Sequence, residues 1–197
     1  QFQRNIGEVN TWVDTTDATY GEVGDALNRL RELFVQAAND TNTADDRDKM
    51  KAEVLQIQEQ IRDMGNTQVA GKYIFSGTNT QKPLFIDDGS GTGARVLNPN
   101  IIAPEGNVNV EVFEGVTFAV NSHGHQLFKG IDDMITRGVE AIESNDAEAI
   151  GGILGDGIGD PANPVDISSA QSMLLVKRAD LGAKQQRVDM MSNRLEN

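Results

Sequence analysis

The 197-residue sequence contains no cysteine. That absence excludes disulfides, thiolate-held metals and thiol nucleophiles together. Positive charge is scarce: 17 lysines and arginines stand against 30 aspartates and glutamates, for a formal net charge of −13. Such a chain repels nucleic-acid phosphates and anionic lipid headgroups, so neither nucleic acid nor a membrane surface is an expected partner. Aromatic residues make up only 5% of the chain, which leaves any core to aliphatic side chains. No run of about 18 apolar residues is present to span a bilayer. The chain opens at Gln1 with no charged-then-apolar leader, and both ends lie inside periodic segments. A piece of a longer protein, clipped at both ends, is the expectation.

The residues that are present are strongly patterned. Ile6, Val9, Val13, Thr16, Tyr20, Val23, Leu27, Leu30, Phe34 and Ala37 recur at alternating steps of three and four. This spacing predicts a coiled-coil helix over residues 5–39, about 50 Å long, with Thr16 the one poor seam residue. Asn39-Asp40-Thr41-Asn42 ends it, because these side chains compete with the helical backbone. Thr43 and Asp46 have the spacing of a capping box. They open a second helix with Met50, Val54, Ile57, Ile61 and Met64 on its seam, Gln68 closing the series and Gly71 as its stop. So short a connection implies an antiparallel helical hairpin.

From Gly71 to Leu127 the texture changes. Tyr73-Ile74-Phe75 reads as a short strand, and residues 87–93 as a loop. Val108, Val110 and Val112 alternate with polar residues, and Val116–Val120 follow after Glu114-Gly115, which predicts a β-hairpin. Helical pattern returns at Phe128, Ile131, Ile135, Val139 and Ile142 and reaches Leu154. Residues 155–165 form a connection. A last helix carries Ile167, Leu174, Leu181, Val188 and Leu195 at steps of seven, with Lys177 and Lys184 at intervening seam positions. Lysines there are tolerable if their stems lie along the seam and their heads reach acidic neighbours. Residues 1–70 carry net −6 and residues 166–197 net +1, which makes the two ends natural partners. The expected fold is α+β: a long antiparallel helical coiled-coil bundle formed by both chain ends (residues 1–70 and 128–197), with a small β-rich inserted domain at 71–127.

Signs of chemistry are weak. His123 and His125 flank Gly124 beside Ser122, yet no nucleophile-elbow pattern or third metal ligand accompanies them. Asp87-Asp88 and Asp156, Asp160 and Asp166 lack EF-hand spacing. The alternating glycines at 89–93 and 155–159 lack the strand, helix and following lysine of a phosphate cradle. No enzyme activity, catalytic residue, metal or cofactor is expected.

Specific motifs carry more. Asn5-Ile6, Thr15-Thr16-Asp17 and the run Arg29 to Asn39, with Asp46-Arg47, Glu53 and Gln60, resemble the N-terminal helical region of the flagellin family. Asn66-Thr67, the run Gly71 to Thr78 and Pro83-Leu84-Phe85 resemble the hook–filament junction branch of that family. Arg178 to Ala183, with Arg187 and Arg194-Leu195, is similar to the family's C-terminal helical motif. The resemblance implies an extracellular structural protein of the bacterial flagellum, exported unfolded through the type III channel, that links hook to filament and transmits torque. Its implied partners are other copies of itself in a ring, a hook-side junction protein (hook-associated protein one), flagellin and, in the full-length form, an export chaperone. A piece lacking the terminal segments is expected to be monomeric. The subunit interface is expected at Lys177, Arg178, Lys184 and Arg187, whose reversal at 184 and 187 to glutamate should detach filaments without unfolding the monomer. A flagellin filament subunit, and a flagellin-like rod carrying an enzymatic insert, are the alternatives.

Overall fold

The computed structural model describes residues 1–197. Five helices and six short strands follow one another: α1 (Phe2–Ala37), α2 (Ala44–Gly65), β1 (Gln68–Val69), β2 (Lys72–Tyr73), β3 (Phe85–Asp87), β4 (Arg95–Leu97), β5 (Asn109–Phe113), β6 (Val116–Ala119), α3 (His125–Glu143), α4 (Ala147–Leu154) and α5 (Ile167–Glu196). The fold is α+β, as expected, and its strands form three separate two-stranded antiparallel hairpins. No helix is long and apolar enough to cross a membrane. The chain divides into two compact units, and both α1 and α5 contribute to each.

One unit comprises Gly21–Met64 and Gln126–Val176. The expected capping box is formed: Asp46 N–H donates to Thr43 Oγ1 at 3.1 Å and Thr43 N–H to Asp46 Oδ2 at 3.0 Å. These bonds draw the Asp46 carboxyl below its ordinary range. Val23, Leu27, Leu30 and Phe34 of α1, Val54 and Ile61 of α2, and Leu127, Phe128, Ile131 and Ile135 of α3 are buried in a core that is mostly aliphatic. Each such side chain contributes on the order of 1.5–3 kcal/mol. Gly138 of α3 lies against the Phe34 ring so closely that a Cβ there would overlap it. A nearly buried ion pair sits in this unit: Arg62 Nε donates to Asp132 Oδ1 at 2.7 Å. Gln58 Nε2 donates to the Asp132 carbonyl and to Thr136 Oγ1.

The other unit comprises Gln1–Tyr20, Gly65–His125 and Lys177–Asn197. Here the two chain ends run antiparallel, with Gln185 Nε2 donating to Asn10 Oδ1 at 3.0 Å and Arg178 paired with Asp17 at 3.2 Å. Ile6, Val9, Val13, Leu181 and Val188 are buried on the seam, and so is Thr16, whose hydroxyl donates to the Trp12 carbonyl at 2.7 Å. That bond explains how a polar residue is tolerated there. Tyr20 is fully buried; its hydroxyl lies 2.6 Å from Ser122 Oγ and its ring 5.5 Å from that of Phe75.

Several local expectations are corrected. α2 stops at Gly65 rather than Gly71, because Asn66 leaves the helix to pair with Phe85, accepting its N–H at 2.8 Å and donating to its carbonyl at 2.9 Å. Gln68 accordingly belongs to β1. Gly71, with Ala70, forms the β1–β2 turn at φ of 77° and 52°, the double positive φ of a type I′ hairpin. Of Tyr73-Ile74-Phe75 only Tyr73 is in a strand, whereas Ile74 and Phe75 turn inward and are buried. The loop at 87–93 is flanked by the β3–β4 hairpin, whose strands are too short to show a period in the sequence. α3 begins at His125, three residues before Phe128.

Candidate interaction surface

Lys177, Arg178, Lys184 and Arg187 lie on α5 within the unit formed by the chain ends. Lys184 points its ammonium at the end of β6, donating to the carbonyls of Ala119 at 2.9 Å and Asn121 at 2.8 Å. The acidic partner expected for it is replaced by two peptide oxygens. Burial, then the neighbouring Arg187, pull its pKa below the ordinary lysine value. Asn121 is itself buried and extends the hairpin with its side chain: Oδ1 accepts the Val108 N–H at 2.7 Å and Nδ2 donates to the Gly106 carbonyl at 2.9 Å.

The guanidinium of Arg187 stacks over the Phe118 ring of β6, 4.8 Å from its centroid, and that of Arg194 over Phe113 of β5 at 5.2 Å. Cation–ring contacts of this kind contribute about 0.5–1 kcal/mol at exposed sites. Three cations of α5 therefore clamp one hairpin, two by rings and one by carbonyls. Arg178 turns instead to Asp17 of α1. Lys177 is half-buried, and burial lowers its pKa. The four residues are thus not one cationic patch: Lys184 and Arg187 share the hairpin, while Arg178 faces α1. The aromatic partners Phe113 and Phe118 escaped the sequence reading, although the β5–β6 alternation placed Phe118 on the same face as Val120.

The hairpin itself is irregular where it meets the helix. Glu111 pairs with Thr117 and Phe113 with Val116, so Val112 is the extra residue of a bulge and is completely buried. Asn5 of α1 donates to the Glu111 carbonyl at 2.7 Å from the other side. At the root of the hairpin His123 Nε2 lies 2.8 Å from Asn107 Oδ1, and burial together with Lys184 and Lys177 depresses its pKa. Ser122 is engaged by Tyr20, and no group of three potential metal-ligating His, Cys, Asp or Glu side chains is gathered anywhere. The arrangement is an intramolecular seat that holds the β5–β6 hairpin against α5.

Residues 1–80 match the bacterial flagellin N-terminal helical region. A flagellin of Salmonella paratyphi A is 35% identical over 97 residues, which cover 49% of this chain and 19% of that relative. The matched stretch thus spans about a fifth of the curated flagellin. Among solved structures, the flagellar hook associated protein-3 of Legionella pneumophila superposes over 98% of this chain and 90% of its own, with a TM-score of 0.74 at 14% identity. Bacillus cereus flagellin superposes with a TM-score of 0.57 at 20% identity, covering 98% and 88%. Its first 80 residues are thus similar in sequence to the N-terminal helical region of bacterial flagellins, and its fold over nearly the whole chain is one shared with a hook-associated protein and with a flagellin.

Proposed function

We propose that the chain is the central part of a hook–filament junction protein, a hook-associated protein three, which joins the hook to the flagellin filament and carries torque between them. The observation that supports this reading most is the fold likeness over nearly the whole chain, closer to a hook-associated protein (TM-score 0.74) than to a flagellin (0.57). Its partners on this reading are further copies in a ring, hook-associated protein one on the hook side, flagellin on the other side and an export chaperone before assembly.

For the expected interface residues we infer two different roles. Arg178, exposed although paired with Asp17, meets a neighbouring subunit directly, with Lys177 beside it. Lys184 and Arg187 act through the β5–β6 hairpin that they seat, so their reversal disturbs the monomer as well as the junction.

The test uses the full-length gene in a strain lacking its own junction protein, with hooks and medium imaged by electron microscopy. Filaments restored on hooks support the reading. Bare hooks with flagellin shed into the medium, despite confirmed export, overturn it in favour of a filament subunit.

A further inference from the structure

A cavity of about 470 Å³ opens in the unit formed by the chain ends, with Val9, Trp12, Val69, Val108, Val110 and Val120 as its apolar lining. Arg4, Lys72 and Glu8 also line it, all three exposed. The volume and the mostly apolar wall with a few polar groups are those of a binding pocket rather than a packing gap. Two further features mark it. Trp12 is 5% exposed, yet its indole N–H is buried without a hydrogen-bond partner. Leaving such a donor unmatched is unfavourable. Ala70, which lines the cavity from the β1–β2 turn, holds a positive φ that a residue with a Cβ seldom adopts.

The chain also carries a feature of opposite shape. Ile158 is 78% exposed in the connection between α4 and α5, between Gly157 and Gly159 and flanked by Asp156 and Asp160. The loop is held firmly. Asp156 Oδ1 accepts the N–H groups of Ile158 and Gly159, each at 3.0 Å, and Ser168 Oγ accepts that of Gly157 at 2.9 Å. A loop already ordered gives up little conformational freedom on docking.

We propose that this cavity receives the Ile158 loop of a second copy of the chain, a step that rests on the reading that copies assemble beside one another. The isoleucine enters the valine-lined wall. Asp156 and Asp160 lie near Arg4 and Lys72. Charge favours this contact: a chain of net −13 repels its copies across most faces, whereas the cavity is lined by two cations and one carboxylate. Because loop and cavity are different surfaces, the contact is heterologous, the kind that closes into rings or extends into helical tubes rather than forming isolated pairs. It is also far smaller than a stable interface, so the isolated chain stays monomeric when dilute.

The test places a photo-crosslinking residue at position 158 (Ile158→benzoylphenylalanine) in the 197-residue chain and irradiates a concentrated mixture of ¹⁴N and ¹⁵N chains. Mass spectrometry is expected to find mixed-isotope crosslinks to residues 4–12, 69–72 or 108–120. Lys72→Glu should lower their yield at least about fivefold, and pairing it with Asp160→Lys should restore most of it, with melting curves confirming that each variant is folded. Crosslinks confined to one chain, or none, or a yield indifferent to Lys72→Glu, overturn the proposal. Crosslinks to another surface of the second copy overturn it too, but leave the assembly reading standing. Bare hooks in the complementation experiment overturn the junction reading, and the contact between copies is then judged by the crosslinks alone.

Discussion

A lysine on a helix seam keeps its charge only if something polar is brought to it, and for Lys184 that is the open end of β6. Replacing it by methionine keeps the apolar stem and removes the donor, leaving two carbonyls unmatched. The expected loss is about 1–3 kcal/mol in urea unfolding, with faster hydrogen exchange in β6. A change below about 0.5 kcal/mol would mean that water satisfies those carbonyls equally well. His123 makes the complementary case. Its pKa is held below the ordinary value of about 6.5, so the unfolded chain binds its proton more readily than the folded one. Stability conferred by the neutral ring is therefore complete above about pH 6.5 and is lost as pH falls below it. Melting temperatures between pH 7 and pH 5 should drop less in His123→Gln than in the parent chain. Equal drops would assign the effect to carboxylates.

The helices were the legible part of this chain, because a seam repeated over many turns outweighs any single residue. The start of α2 was legible from two residues, Thr43 and Asp46, since a capping box is a local bond pattern. Thr43→Ala should cost about 1 kcal/mol, read as a lower melting temperature. The end of α2 was hidden. Asn66 terminates it by pairing with Phe85, nineteen residues away, and no local signal announces a partner that distant. The β3–β4 hairpin was hidden for a different reason, as three-residue strands carry too little alternation to be seen. The clamp on β5–β6 was half legible: the hairpin and the cations were visible separately, but not that rings and carbonyls would bring them together. Gly138 shows the same limit on α3. Nothing nearby marks it as the place where the Phe34 ring rests, yet Gly138→Ala, a favourable change for an isolated helix, should destabilise the chain by about 1–3 kcal/mol. A stabilised variant would show that the ring can move aside.

At the scale of the whole molecule the dominant fact is charge. Thirty carboxylates against seventeen cations make self-repulsion a standing cost of the folded state. Sodium chloride should therefore raise the melting temperature, most steeply between about 10 and 150 mM, where the screening length shrinks from about 30 to 8 Å. A fall with salt would mean that ion pairs such as Arg29–Glu53 outweigh the repulsion.

The pairing of Asn10 with Gln185 and of Asp17 with Arg178 has a consequence for time. Contacts separated by 175 and 161 residues cannot form until α5 is free to move. A chain delivered from one end thus has no early chance to close this unit around its first helix, however favourable the seam. Local pieces such as the capped start of α2 can form as they appear, but the seat of the β5–β6 hairpin must wait for α5. In chain order α5 follows every other element described, and it completes the seam that α1 began.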